Sequence, residues 1–172
     1  MDKKKHIPLI GVGPAIVAPQ ISLTVLGITF SCTGILNFGK AEWFRIPAFV
    51  AGIILILFGV YLWIAANFQT KVDRYITENQ LATTGVYAIV RNPIYSAFGL
   101  TCTGGILIAN NLTLLIIPFL CWAYMTIFLK KTEEKWLLAL HGQAYIDYCK
   151  RVNRCIPWFQ KNQARKGVNR AK

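Results

Sequence analysis

Apolar residues gather into four long runs along this chain, with short polar gaps between them. The first, Leu9 to Leu36, carries no charge; Gly11, Gly13, Pro14 and Pro19 interrupt its beginning, so its helix core is predicted over Pro19–Leu36. Ile46–Phe68 is a second uncharged run, Ile94–Ala109 a third and Leu112–Leu129 a fourth. A bilayer span needs roughly 20 apolar residues, within a range of about 17–25. The third run is short by that measure, so it borrows a turn at one end or crosses with little tilt. Only Ala109-Asn110-Asn111 separates the third and fourth runs, which predicts a hairpin whose outer ends return to one water interface. After the fourth run the pattern continues as helix from Thr132 to Leu140, with Gly142 as a break. Ala144–Val152 is then amphipathic and is predicted to lie across the membrane surface, with Tyr145, Ile146 and Tyr148 at headgroup level. The expected fold class is all-α: a polytopic integral membrane protein with four or five transmembrane helices and a cytosolic interfacial C-terminal helix.

Charge fixes the expected orientation. The 172 residues are 55% hydrophobic yet carry a net charge of +12, and that charge is confined to the gaps between apolar runs. Lys3, Lys4, Lys5, Lys71, Arg74, Arg91 and every basic residue from Lys130 onward fall on one side; only Lys40 and Arg45 fall on the other. The positive-inside rule makes the richer side cytosolic, so both termini are expected there. A bacterial inner membrane and the endoplasmic reticulum satisfy this equally. Lys3-Lys4-Lys5 before an apolar stretch is not read as a signal peptide, because the stretch is too long and lacks a small-x-small cleavage site. The length suits one domain: residues 1–80 as membrane scaffold, 81–158 as the part carrying chemistry, and 159–172 as a basic tail near anionic lipid. Nucleic acid is a poor partner for that tail, since no aromatic interleaving accompanies the charge. Five scattered cysteines without a C-x-x-C pair, and only His6 and His141, argue against disulfides and metal.

The polar residues of the last third carry the candidate chemistry. Glu133 and Glu134 adjoin the cytosolic end of the fourth run, beside Lys130, Lys131 and Lys135. Taken alone they read as a solvated helix end. Their placement suggests more: neighbours on a helix point about 100° apart, so one carboxylate can face solvent while the other faces the bundle interior. An inward carboxylate at that depth needs a cation or ligand, and Arg91 and Arg154 are the candidate cations. Tyr87, Tyr95, Tyr145 and Tyr148 read first as interface anchors, and His141 as an interfacial polar residue. Gly11-Val12-Gly13 lacks the third glycine and the preceding strand of a dinucleotide fingerprint. There is no phosphate loop, no Ser-His-Asp arrangement and no mid-membrane charge of the kind an ion pathway uses.

Arg91-Asn92-Pro93-Ile94-Tyr95, Glu133-Glu134, Gly142-Gln143-Ala144-Tyr145-Ile146-Asp147-Tyr148 and Arg154-Cys155-Ile156-Pro157 together resemble the isoprenylcysteine carboxyl methyltransferase family, with its related phospholipid methyltransferases. The resemblance covers about Leu81–Trp158. It implies an integral-membrane methyltransferase using S-adenosylmethionine on a lipid-like or isoprenylated acceptor, an isoprenylcysteine carboxylate among the candidates. Carried over by position, it implies that Tyr87, Arg91, Asn92, Pro93, Tyr95, Glu133 and Glu134 border the cofactor. Glu134 and Arg154 are the implied catalytic pair, with Arg154 holding an acidic substrate group. Asn92 stands where the family usually has His, and His141 where it usually has Phe. The glycine pattern of the phospholipid branch is not evident, since Gly59-Val60 is followed by Tyr61.

Two other readings compete. The segment Tyr145–Pro157 is also similar to the C-terminal part of the sterol reductases, which use NADPH, although those proteins are longer. A small non-enzymatic membrane adaptor with a basic tail is the third reading. The acceptor's reacting group and the oligomeric state are left open by the sequence.

Overall fold

In hydrocarbon every backbone polar group has to be satisfied within the chain, and helices achieve this segment by segment. A computed structural model describes residues 12–70 and 72–157, and among these every regular element is a helix, joined by turns and loops that hold two isolated bridges. The N-terminal lysines, Lys71 and the basic tail over 159–172 lie outside the described residues. The helices are α1 (Gly13–Cys32), α2 (Arg45–Ile64, extended by a π-helical turn Ala65–Gln69), α3 (Val72–Thr77), α4 (Pro93–Ile108), α5 (Ile116–Lys131), α6 (Glu133–His141) and α7 (Gln143–Arg151).

Among the described residues three segments are long and apolar enough to cross a membrane: Gly13–Cys32, Glu42–Gln69 and Leu112–His141. The fourth, α4, is apolar but has 16 residues. At 1.5 Å per residue it reaches about 24 Å, against a hydrocarbon thickness of about 30 Å.

Some boundaries differ from those expected. α1 begins at Gly13 rather than near Pro19, because Pro14 sits in its first turn, where a missing N–H costs nothing; Pro19 is carried inside the helix. It stops at Cys32, short of Leu36, and Gly34 then takes a φ of +86°. The loop Gln69–Val90 contains α3 and a 3₁₀ turn, Gly85–Ala88. The helix after the fourth run does not continue unbroken. Thr132 turns its hydroxyl back onto the Phe128 carbonyl at 2.7 Å and takes φ −121°, ψ −93°, which separates α5 from α6. Gly142, at φ +51°, makes the expected break before α7.

The bundle is apolar outside and small or polar within. On α1 the buried stripe is Ile16, Gln20, Thr24, Gly27 and Ser31, spaced three or four apart on one face. Ile46, Leu57 and Phe119 are among the large apolar side chains left exposed, as lipid contact requires. α2 and α4 approach closely through glycine: a Cβ on Gly52 would lie 2.6 Å from the Gly104 carbonyl, and one on Gly104 would meet the Gly52 carbonyl at 2.6 Å. Gly59 meets the Ala97 carbonyl and the Thr101 hydroxyl the same way. Lipid tails are as apolar as leucine, so this fit, rather than burial from water, holds the pair.

At the hairpin end, Asn111 is buried. Its amide nitrogen donates to Ser31 Oγ at 3.0 Å and to the Leu36 carbonyl at 2.7 Å, while Leu112 N–H donates to the Gly39 carbonyl at 2.8 Å. The α4–α5 turn is thereby tied to the loop after α1.

Replacing Gly104 by Val should cost about 1–3 kcal/mol by overpacking, read as a lower thermal midpoint of the detergent-purified protein. Gly99→Ala, where an added Cβ meets nothing within 4 Å, is the matched control.

Candidate functional site

Two segments distant in sequence meet through their backbones. Val90 and Asn153 form a parallel bridge; Arg91 N–H donates to the Asn153 carbonyl at 2.8 Å and Asn92 N–H to the Arg154 carbonyl at 3.1 Å. The Asn92 side-chain amide donates to that same Arg154 carbonyl at 2.9 Å. Ser96 Oγ lies 2.6 Å from the Cys155 carbonyl and 2.9 Å from that of Asn92. Pro93 is buried and opens α4, so the clamp sits at the mouth of this apolar helix.

The clamp brings three charges together. Arg154 grips Glu134 with two prongs, Nε to Oε1 at 2.5 Å and Nη2 to Oε2 at 3.0 Å. Arg91 Nη1 lies 3.3 Å from Glu134 Oε1 and is 3.3 Å from the Tyr145 hydroxyl, with the Cys149 sulfur also in contact. Its guanidinium stands 5.9 Å from the centroid of the Tyr145 ring. Arg91 is nearly buried, and its Nε has no hydrogen-bond partner among the described residues. Hydrogen bonding to Glu134 raises the Arg154 pKa above its ordinary value, against the lowering effect of burial.

Glu133 points elsewhere. Its Oε1 accepts from the Tyr95 hydroxyl at 2.7 Å and from the Val12 N–H at 3.4 Å. The expectation that one carboxylate faces solvent is therefore corrected: both are held within the protein. The break at Thr132 puts both in the first turn of α6, where negative charge is favoured and two different walls are within reach.

The tyrosines are not headgroup anchors. Tyr145 and Tyr148 are buried against Leu81, Leu137 and Val152, and Tyr148 donates to the Tyr87 carbonyl at 2.6 Å. The aromatic face of α7 is thus occupied by protein rather than by lipid. Burial pushes both phenols well above their ordinary pKa, so they remain protonated donors. Tyr87 belongs to a core cluster with Leu62, Ala65 and Ala97. Burial pushes the Cys155 thiol up to about 12. Ser96, Tyr145 and Cys149 complete this site without having been singled out for it by sequence. Their only available sign was proximity to the Arg91–Tyr95 and Gly142–Tyr148 motifs.

Behind the polar cluster lies a cavity of about 210 Å³ between α1, α4, α5 and the Cys155–Pro157 segment. Tyr95, Ser96 and Cys155 form its polar end; Leu100, Ile117 and Trp122 are part of its apolar wall. A mostly apolar chamber and the polar cluster thus share one wall. The residues suit a zwitterionic, sulfonium-bearing cofactor: two guanidiniums, one with an unpartnered nitrogen, a carboxylate in Glu133 not gripped by arginine, and aromatic faces. Glu134 is already committed to both arginines, so it serves them first.

The phospholipid methyltransferase family model matches residues 47–144. The chain is also similar to the protein-S-isoprenylcysteine O-methyltransferases of Schizosaccharomyces pombe (32% identity over 81 residues, 46% of this chain and 34% of that one) and of Rattus norvegicus (27% over 120 residues, 64% and 41%). One from Arabidopsis thaliana is 28% identical over 81 residues, 46% of this chain and 41% of that one. The chain therefore spans about a third to two fifths of the length of these curated relatives. No solved structure matches.

Two outcomes are expected from this geometry. Glu134→Gln leaves two inward guanidiniums uncompensated and should cost on the order of 3 kcal/mol, measured by thermal unfolding beside Arg154→Lys, which keeps the charge and loses the fork. Cys155 should resist maleimide at mildly alkaline pH until the protein is denatured, as mapped by peptide mass spectrometry.

Proposed function

The chain belongs to the phospholipid methyltransferase family, and from that premise we propose that it is a membrane-embedded methyltransferase. It moves a methyl group from S-adenosylmethionine to a lipid-like or isoprenylated acceptor at the cytosolic membrane surface. The observation that carries this reading is the shared wall: Tyr95, Ser96 and Cys155 line the cavity, while Tyr95 also donates to Glu133 and Ser96 donates to the Cys155 carbonyl, next to Arg154. Both termini are assigned to the cytosol, by the distribution of lysine and arginine.

S-adenosylmethionine supplies an electrophilic methyl group on a sulfonium. Its transfer is an in-line displacement with little proton chemistry, so positioning and water exclusion supply most of the acceleration. Arg91 is the group for the cofactor's carboxylate. Glu133, already oriented by Tyr95, is the group for its ammonium or ribose, and Asn92, Pro93 and Tyr87 fix the frame around it. Tyr95 and Tyr145 present ring faces that favour positive charge. Arg154 is the group for an acidic acceptor, with Glu134 tempering its charge. An unopposed guanidinium would hold a carboxylate nucleophile too firmly to react. A carboxylate of the isoprenylcysteine kind, which the names of the similar proteins carry, fits the charged end of this arrangement.

Calorimetry on the detergent-purified chain tests the reading. S-adenosylhomocysteine should bind saturably and NADPH should not. The reverse result would move the chain to the membrane reductases, and binding of neither by folded protein would favour the adaptor. Within the reading, Tyr95→Phe frees Glu133 from its fixed position. It should lower kcat about tenfold, the scale of one lost hydrogen bond at a positioned group, with thermal stability little changed.

A further inference from the structure

Two polar side chains of α1 lack adequate partners inside the apolar half of the molecule. Gln20 is 2% exposed; its Oε1 accepts no hydrogen bond, and its amide nitrogen reaches only the Met125 thioether, at 3.8 Å. Thr24, one turn further on, is 6% exposed; its hydroxyl has the Cys102 thiol beside it and no hydrogen-bonding oxygen or nitrogen. Both line the cavity. The deficit is local, since Ser31 on the same stripe receives the Asn111 amide.

Buried polar groups are nearly always paired, because leaving them unpaired in a low-dielectric interior is costly. A hydrocarbon chain in this cavity would leave both groups unmet. A charged ligand group is disfavoured as well, because among the described residues no lysine, arginine, aspartate or glutamate lines the cavity. A hydroxyl meets both at once: it donates to Gln20 Oε1 and accepts from the Thr24 hydroxyl. The depth is defined. Val12, whose N–H reaches Glu133, marks the polar end. Gln20 and Thr24 lie about 12 and 18 Å along α1 from it, which brackets the middle of a hydrocarbon layer about 30 Å thick.

We propose that Gln20 and Thr24 form a hydrogen-bonding subsite for a hydroxyl carried partway along the chain of the lipid ligand. This subsite selects hydroxylated chains over plain ones. The identification of that ligand as the methyl acceptor rests on the function proposed above; the subsite itself does not.

The test uses the full chain in detergent and displacement of the fluorescent fatty acid cis-parinarate by oleate or ricinoleate. These two differ only by a mid-chain hydroxyl. Ricinoleate should displace the probe at about tenfold lower concentration than oleate, as one good hydrogen bond provides. In Gln20→Leu/Thr24→Val the two should become equal, with oleate affinity kept; Thr24→Val alone carries the comparison if the double variant does not fold. Equal affinities in the unaltered chain, a preference that survives substitution, or no displacement by either would overturn the proposal. So would a bound water that meets both groups, since it would also leave the two lipids equal. S-adenosylhomocysteine binding in the same preparations separates the two ideas. If it is retained while the lipid preference is absent, only the subsite fails. If it is absent while the preference persists, only the methyltransferase reading fails.

Discussion

One carboxylate held between two guanidiniums organises this molecule. Glu134 sits where a transmembrane helix meets water, and an ionised group there is tolerated only with its charge answered. Arg154 answers it in two-pronged fashion, and can do so only because the backbone around Asn153–Arg154 is pinned to Arg91–Asn92. The pin depends in turn on Pro93 starting α4 at that point and on Ser96 lying against the Cys155 carbonyl. With two cations against one carboxylate, the cluster keeps an excess of positive charge. Glu133, placed by Tyr95 on the other wall, is too occupied with its own donors to cancel it. Such a site is disposed toward an anion beside a cation, which is the charge pattern of an amino-acid end.

The three long spans were legible because lipid imposes a simple rule on composition, while α4 is apolar but falls short of that length. The pairing of Arg91 with the Glu133-Glu134 motif and with Arg154 was legible too, because a hairpin of two spans returns its ends to the same surface. What periodicity did not yield was the direction of each side chain. Glu133 and Glu134 both turn inward because Thr132 breaks the helix, and a threonine bending its hydroxyl onto the preceding turn looks in sequence like any other helical threonine. Tyr145 and Tyr148 resemble interface anchors in an amphipathic stretch. Whether lipid or protein covers that face depends on the Leu81–Val90 segment folding beneath it, a tertiary fact with no local mark.

Asn92 shows how a departure from a family pattern can be read physically. An imidazole at that position could take part in proton transfer. The amide here donates to the Arg154 carbonyl, alongside the Asn92 backbone N–H that reaches the same oxygen. Two donors on one carbonyl strengthen the clamp, and the proposed methyl transfer from a sulfonium makes little demand for a base. The substitution therefore trades a titratable group for a structural one without removing anything the displacement needs.

The clamp and the cavity share residues, and this joins the two halves of the proposed chemistry. Ser96 and Cys155 hold the C-terminal segment to α4 and also form the polar end of the lipid chamber. Tyr95 orients Glu133 on the charged side and lines the chamber on the other. A chain that fills the cavity presses on the same side chains that set the positions of Glu133 and Arg154. A ligand on the charged side stiffens the wall against which the chain packs. Coupling of this kind needs no moving domain, because the two ligands meet across a single layer of side chains. The buried polar pair on α1 adds a ruler to that arrangement. It lies at a fixed distance from the charged cluster, so only a lipid whose own polar groups have the same spacing satisfies both ends at once.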